Sequence, residues 1–293
     1  MPSSYDLAVA YRIYPKVAHT AIGLPLSDDK LRLADACLQS FRESLGGMRA
    51  KVWALLDGCP PEYGEMFVKC FDPQDLVIIP LDSIGNLRTF DRQIEILLHQ
   101  TDAEFVYFAE DDYFYLPSQF ATMMDFLRSH NDAHFVTPYD HADCYRLELH
   151  RHPQWLRVAA NHHWRTAGST CLTFLTTRRV LKETEHVFRT YAARNSDASL
   201  WLSLTQFGIW NPAMLARWAI EQPRLAKIVI KAWLYGWKQI LFRRPRRLWV
   251  PVPGIATHMD ANALSPSINW KSLIERRPPR TGQPLVSVPA HKS

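Results

Sequence analysis

The feature that most narrows the folds open to this chain is the rhythm of its first 112 residues. Four short apolar runs occur there, and amphipathic stretches of helical period separate them. Residues 7–14 (LAVAYRIY) are the first run, ended by Pro15. Asp28 or Asp29 is then placed to cap a helix in which Leu31, Ala34, Leu38, Phe41 and Leu45 recur before Gly46 and Gly47. Residues 52–56 form the second strand, closed by Asp57 and Gly58, and residues 60–70 a short helix with proline in its first turn. Residues 76–80 are the third strand. Residues 86–100 are a helix with Leu87, Ile94, Leu97 and Leu98 on its inner side. The fourth strand, 104–108, runs straight into Glu110-Asp111-Asp112.

Short connections between such alternating elements imply an α/β fold with a mostly parallel sheet and helices on both faces. Ligands bind these sheets at the carboxyl ends of the strands. Asp57, Asn86 with Arg88, and the acidic trio then share one edge. Polar residues are common at strand ends, so the signal lies in their convergence.

The second half is less regular. Residues 134–139 and 168–174 read as strands, 178–193 and 198–206 as helices, 243–253 as a basic, proline-rich connector, and the tail beyond Arg276 as loose. Its 293 residues suffice for one large domain or a domain with an appendage. The five cysteines are scattered without a CxxC pair, which argues against a disulfide framework and for a reducing compartment. No secretory signal is read in the opening segment, and no run of eighteen uncharged apolar residues suggests a membrane span. The expected location is cytoplasmic, with contact at the inner face of the membrane left open.

Two carboxylates on one side of a strand end suit a hard cation such as Mn²⁺ or Mg²⁺ with bound phosphates, and alternation sends Glu110 and Asp112 to one side and Asp111 to the other. Three adjacent acids also make solvated turns; the very apolar run ahead of them argues against mere decoration. A helix starting at Asn86 favours anions, and Arg88 adds a charged donor or is a plain surface arginine.

The order of these motifs resembles that of GT-A-fold glycosyltransferases, in particular the inverting family 2-like group, over roughly residues 5–270. The resemblance implies a GT-A-like fold with a C-terminal helical extension, and transfer of a sugar from a nucleoside-diphosphate sugar to a hydroxyl acceptor. Glu110-Asp111-Asp112 stands where the family carries its D-x-D-type motif, with Glu in place of the first Asp. By that match Asp112 ligates the cation, and Glu110 faces the donor ribose or the metal shell. Asp57 matches the acidic residue that reads the nucleobase, compatible with uracil and open to guanine. Asn86 and Arg88 stand at the pyrophosphate-contacting helix start. The segment NHHWRTAGSTCLTF makes His163, Trp164, Arg165 and Thr170 the candidates beside sugar and acceptor. Asp197, opening a helical run after Asn195-Ser196, matches the family's general base, although without the resemblance it reads as an ordinary helix cap. His258 matches a C-terminal histidine that completes the metal shell.

The same resemblance divides the chain into a catalytic domain over 1–221, with a donor half to about 115 and an acceptor half after it. A basic amphipathic helix and connector follow over 222–250, and a segment folding back on the site over 251–293. Lys227 to Arg247 carries three lysines and four arginines and no acid. It is expected either to pack on the domain, the slightly favoured reading, or to touch an anionic membrane, which suits a glycan or lipid-linked acceptor. Rival readings are a nucleotidyltransferase, disfavoured because residues 15–28 lack a glycine-rich basic loop, and a non-catalytic sugar- or nucleic-acid-binding module. Nucleic acid is the less expected partner.

Overall fold

A computed structural model describes residues 4–16 and 23–276. The strands and helices of the first half follow one another as β1 (Leu7–Ile13), α1 (Lys30–Ser44), β2 (Ala50–Asp57), α2 (Pro61–Cys70), β3 (Leu76–Leu81), α3 (Asn86–His99) and β4 (Phe105–Glu110). Then come β5 (Tyr113–Tyr115), α4 (Phe120–Ser129), β6 (Phe135–Val136), α5 (Asp143–Arg146), β7 (Leu156–Ala159), β8 (His162–Ala167) and β9 (Phe174–Thr177). The chain continues through α6 (Arg178–Phe188), α7 (Asp197–Thr205), α8 (Pro212–Glu221), α9 (Pro223–Phe242), β10 (Leu248–Val252), β11 (Ala256–His258) and α10 (Trp270–Glu275).

Nine strands form one sheet in the order β3-β2-β1-β4-β9-β6-β10-β8-β7, and β5 and β11 form a second, two-stranded sheet. The first four strands in that order are parallel, and β9 joins β4 antiparallel. This is the mixed, mostly parallel α/β architecture that the alternation in the sequence requires.

Both faces of the sheet are covered, and β1 shows how. Leu7, Val9 and Tyr11 pack on one side with Leu38 and Phe41 of α1 and Phe67 of α2; Ala8 and Ala10 face the other side with Ile94 of α3 and Leu181 of α6. Period-two alternation of a strand that is apolar up to Arg12 makes both faces core, which is why it reads as a nearly unbroken apolar run. Asp29 caps α1 by accepting from Leu31 N and Arg32 N, one of the two caps the sequence allowed.

The second half departs from expectation at three places. Residues 243–253 are not simply a connector, because Leu248–Val252 is a buried central strand between β6 and β8. β6 pairs only with Leu248 and Trp249, so Pro251 sits where that neighbour has ended and its missing N–H breaks no bond there. Residues 168–173 form a loop; the strand lies one step earlier, in the polar run His162–Ala167. The strand expected over 134–139 is only two residues long. The tail beyond Arg276 lies outside the described residues.

Candidate active site

The carboxyl ends of β1, β2 and β4 and the amino end of α3 surround a cleft of about 550 Å³. It is lined by Arg12, Tyr14 and Lys16 from the end of β1, Asp57 from β2, and Ser83, Gly85 and Asn86 from the turn into α3. Lys30, Glu110, Asp111, Asp112 and Met259 are also in its wall.

Asp57 is buried and holds the turn that opens α3. Its two oxygens accept from Ile84 N at 2.7 Å and Gly85 N at 2.8 Å. Gly85 has φ +84°, a backbone setting that glycine adopts without a Cβ penalty. The turn therefore sets the start of α3, whose first N–H groups lack intrahelical partners, in the cleft wall. Asn86 is tied down on both sides: its Oδ1 accepts from Arg12, and its Nδ2 donates to Tyr191 Oη at 3.0 Å. Arg88, two residues further, is exposed and does not line the cleft.

The acidic trio sends its three carboxylates to three different partners. Glu110 is the register partner of Arg12 across β1 and β4, and Arg12 Nη2 donates to its Oε1. Its Oε2 accepts from Thr173 Oγ1 at 2.8 Å. Burial lowers the Arg12 pKa, but the Glu110 carboxylate more than offsets this and holds it raised. Asp111 accepts from Tyr14 N at 3.0 Å and pairs with Lys30 Nζ at 2.9 Å. Burial raises the Asp111 pKa against the pull of Lys30, while Lys30, opposed by its own burial, is lifted by Asp111 to about 12.

Asp112 meets His258, 146 residues away in the chain, with Oδ2 at 3.1 Å from Nε2. The small sheet makes this contact: β11 runs antiparallel to β5, His258 lies opposite Tyr113, and Met259 N donates to Asp112 O at 2.7 Å. Burial opposes charge on both groups, yet their mutual attraction prevails. The His258 pKa rises to about 9 and that of Asp112 falls well below the usual carboxylate range. Asp112 Oδ1 is buried and has no hydrogen-bond partner. An anionic oxygen of that kind, on a residue of the cleft wall and beside an imidazole, fits a divalent cation. Among the described residues no group of three or more His, Cys, Asp or Glu side chains is gathered to hold a metal ion. Glu110, expected in the metal shell, spends both oxygens on Arg12 and Thr173, so the protein donors come down to Asp112 and His258.

Asp197 is the first residue of α7, with Ser196 as the cap and its own Oδ1 accepting from Ala198 N at 2.7 Å. Burial raises its pKa; the field of Glu110 adds to this, and Arg12 opposes it. Those couplings put Asp197 near the Arg12–Glu110 pair.

The four residues expected beside sugar and acceptor are not gathered at the cleft. Trp164 is fully buried, stacked on Phe126 with ring centroids 4.2 Å apart, and its Nε1 donates to Ala159 O. A ring sealed in the core has no free face, so its expected stacking on a sugar is corrected. Arg165 is buried against Asp140 at 2.6 Å, Thr170 donates to Thr137 Oγ1 inside the domain, and His163 is exposed on β8 opposite Val252. Arg12, Lys30 and Thr173 were missed. One signal for Arg12 was available: β1 and β4, both apolar, each place a charged residue near their carboxyl ends, in AYR and FAE.

No protein-family model matches the chain, and no curated protein matches it. Among solved structures it is similar to S. aureus TarS 1–349, at 13% sequence identity over 78% of this chain and 70% of that chain, with a TM-score of 0.43.

Proposed function

We propose that this chain is a glycosyltransferase that moves a sugar from a nucleoside-diphosphate sugar, UDP-linked by preference and GDP-linked as the second choice, to a hydroxyl of a glycan or lipid-linked acceptor. The observation that carries the reading is the Asp112–His258 pair, closed across 146 residues at the mouth of the cleft with Asp112 Oδ1 unsatisfied. Asp112 and His258 would hold Mn²⁺ or Mg²⁺. Bound there, the ion would offset the charge that builds on the diphosphate as it departs.

The rest of the chemistry belongs to the chain. The free N–H groups at the start of α3 and the ammonium of Lys16 receive phosphate oxygens. Tyr14, a cleft residue that is 44% exposed, offers its ring to a nucleobase. Arg12 neutralises Glu110 and fixes Asn86, so that the floor beneath the donor stays rigid. Asp197, fixed by Ala198 N and made more basic by burial, accepts the proton of the acceptor hydroxyl as its oxygen attacks the anomeric carbon. Attack from the face opposite the leaving nucleotide inverts that carbon.

The test is a thermal-shift panel of nucleoside diphosphates with and without Mn²⁺, followed by transfer assays. UDP or GDP with Mn²⁺ at saturating concentration is expected to raise Tm by several degrees, since a ligand at about 100 times its Kd stabilises by about 2.7 kcal/mol. Asp197→Asn is expected to keep that shift and lose about 10²–10⁴-fold in transfer. An unmoved Tm with every nucleotide, or full transfer by Asp197→Asn, overturns the assignment.

A further inference from the structure

The helix α9 buries one face and leaves a second apolar face uncovered. Leu225, Val229, Ala232 and Ile240 pack in a cluster with Leu202 of α7 and Trp218 of α8. Gly236 lets the helices touch, because a Cβ there would lie 2.3 Å from Ser203 Oγ. On the outer side Ile230, Leu234, Trp237 and Leu241 remain 45–68% exposed. Their spacings of four, three and four return to one side of a helix, giving a stripe about 16 Å long. A soluble surface rarely leaves such a continuous row uncovered.

The charges beside the stripe are of one sign. From Pro223 to Arg247 there is no acidic residue. Lys231, Arg246 and Arg247 are spent on Arg194 O, Glu183 and Asp132. Arg224, Lys227, Lys238, Arg243 and Arg244 are exposed and have no ion pair among the described residues. On a helical wheel Lys227 and Lys238 fall next to the stripe, on the same side of it. Trp237 lies within the stripe, and Trp210, 56% exposed, stands at its margin against Trp233. Tryptophan favours the level of lipid headgroups, where its ring is half in water. Among the described residues no helix is long and apolar enough to cross a membrane.

From this complementarity we infer that the outer face of α9 lies in the headgroup region of an anionic lipid leaflet, with Leu234 and Trp237 inserted and Lys227 and Lys238 against lipid phosphates. The inference is independent of the transfer chemistry, because the face lies outside the cleft and its test reads lipid binding alone. Lys231 and Tyr235 of the same helix bond to Arg194 O and Ala193 O, in the turn leading to Asp197. The docked helix is thus tied directly to that part of the domain.

The test is co-sedimentation of the full chain with vesicles of phosphatidylcholine, alone or with one third phosphatidylglycerol. Binding is expected to the anionic vesicles only and to weaken with salt. Leu234→Glu with Trp237→Glu, and separately Lys227→Glu with Lys238→Glu, are each expected to weaken it at least about tenfold without moving Tm, since all four side chains are exposed. No binding of the wild-type chain to anionic vesicles, or binding that neither pair weakens, overturns the inference. So does a wild-type dimer in sedimentation velocity that Leu234→Glu disperses, with no lipid binding, because the stripe then belongs to a second copy of the chain.

Discussion

Two ion pairs, Asp112–His258 and Asp140–Arg165, each join a carboxylate to a nitrogen base and end in different states. Asp140 and Arg165 are sealed, with side chains 1% and 5% exposed. Asp140 Oδ1 takes Arg165, and its Oδ2 takes the hydroxyl of Tyr145 at 2.7 Å. Asp112, in the cleft wall, and His258 behind it are each 24% exposed, and one buried Asp112 oxygen is left over. A sealed pair with its acceptor capacity filled is a strut: it fixes the loop after β6 against β8. An open pair with capacity to spare is a place where something binds. The lesson is that an unsatisfied carboxylate oxygen on a residue of the cleft wall, more than charge or burial, separates a site from a support; the unpartnered Nε of the sealed Arg165 is a donor that no ligand can reach.

The widest separation between the two comes from removing one carboxylate at a time. Asp112→Ala is expected to cost at least about 10³-fold in sugar transfer, since it takes away the buried, unpartnered oxygen proposed to hold a cation. Its loss of stability is modest, because His258 can then be solvated. Asp140→Ala is expected to do the reverse. Leaving Arg165 charged and shut inside costs about 3–5 kcal/mol, visible as a lowered midpoint in urea. Once folded in the cold, this variant should retain transfer within about tenfold. If Asp140→Ala abolishes transfer with an unchanged midpoint, the sealed pair is part of the machinery and the distinction fails.

How much of this was legible in the sequence follows the same division between local and distant information. β1 to β4 and α1 to α3 were readable because each is set by its own apolar period, and the edge they share followed from parallel topology. The Asp112 and His258 match came from the motif order, whereas the contact itself depends on β11 returning to β5. Nothing local specifies that return. β10 was read as a connector because RRPRRLWVPVP is rich in proline and arginine, and what makes it a strand is the gap between β6 and β8. Trp164 illustrates the opposite error. A tryptophan between two histidines and an arginine reads as a sugar platform, yet β8 turns it inward onto Phe126. Glu110 was legible as an acid at the right place, but its saturation by Arg12 and Thr173 needed β1 and the loop before β9.

A pH series sharpens the contrast by reading the open pair through stability. The folded His258 pKa is raised to about 9 from an ordinary value of 6.5. Its contribution is therefore fully present below about pH 6.5 and is lost as pH rises through 9. The stability difference between wild type and His258→Gln should accordingly shrink by roughly 1–3 kcal/mol between those limits, a range reduced for partial exposure. Chemical denaturation at both ends of that interval measures it. Saturating Mn²⁺ is expected to shift the wild-type curve toward higher stability at alkaline pH, where the imidazole has already lost its proton. A difference that stays constant across the interval would mean that the two groups do not interact as the geometry implies.

The smallest effect is expected at Arg88, and it tests where the binding region ends. Motif order placed Arg88 with Asn86 at the pyrophosphate, but its side chain is exposed and outside the cleft lining, and among the described residues it makes no ion pair. Asn86, two residues earlier, is held by Arg12 and Tyr191. Residues two apart on a helix do not share a face, so the start of α3 can meet a diphosphate through Asn86 and the backbone while Arg88 stays in water. Arg88→Ala is expected to change stability by less than about 0.5 kcal/mol and the nucleotide Kd by less than about threefold. Isothermal titration with UDP and Mn²⁺ decides the point. A tenfold loss would show that α3 or the chain before it moves onto the ligand, and the resting cleft would then be smaller than the working one.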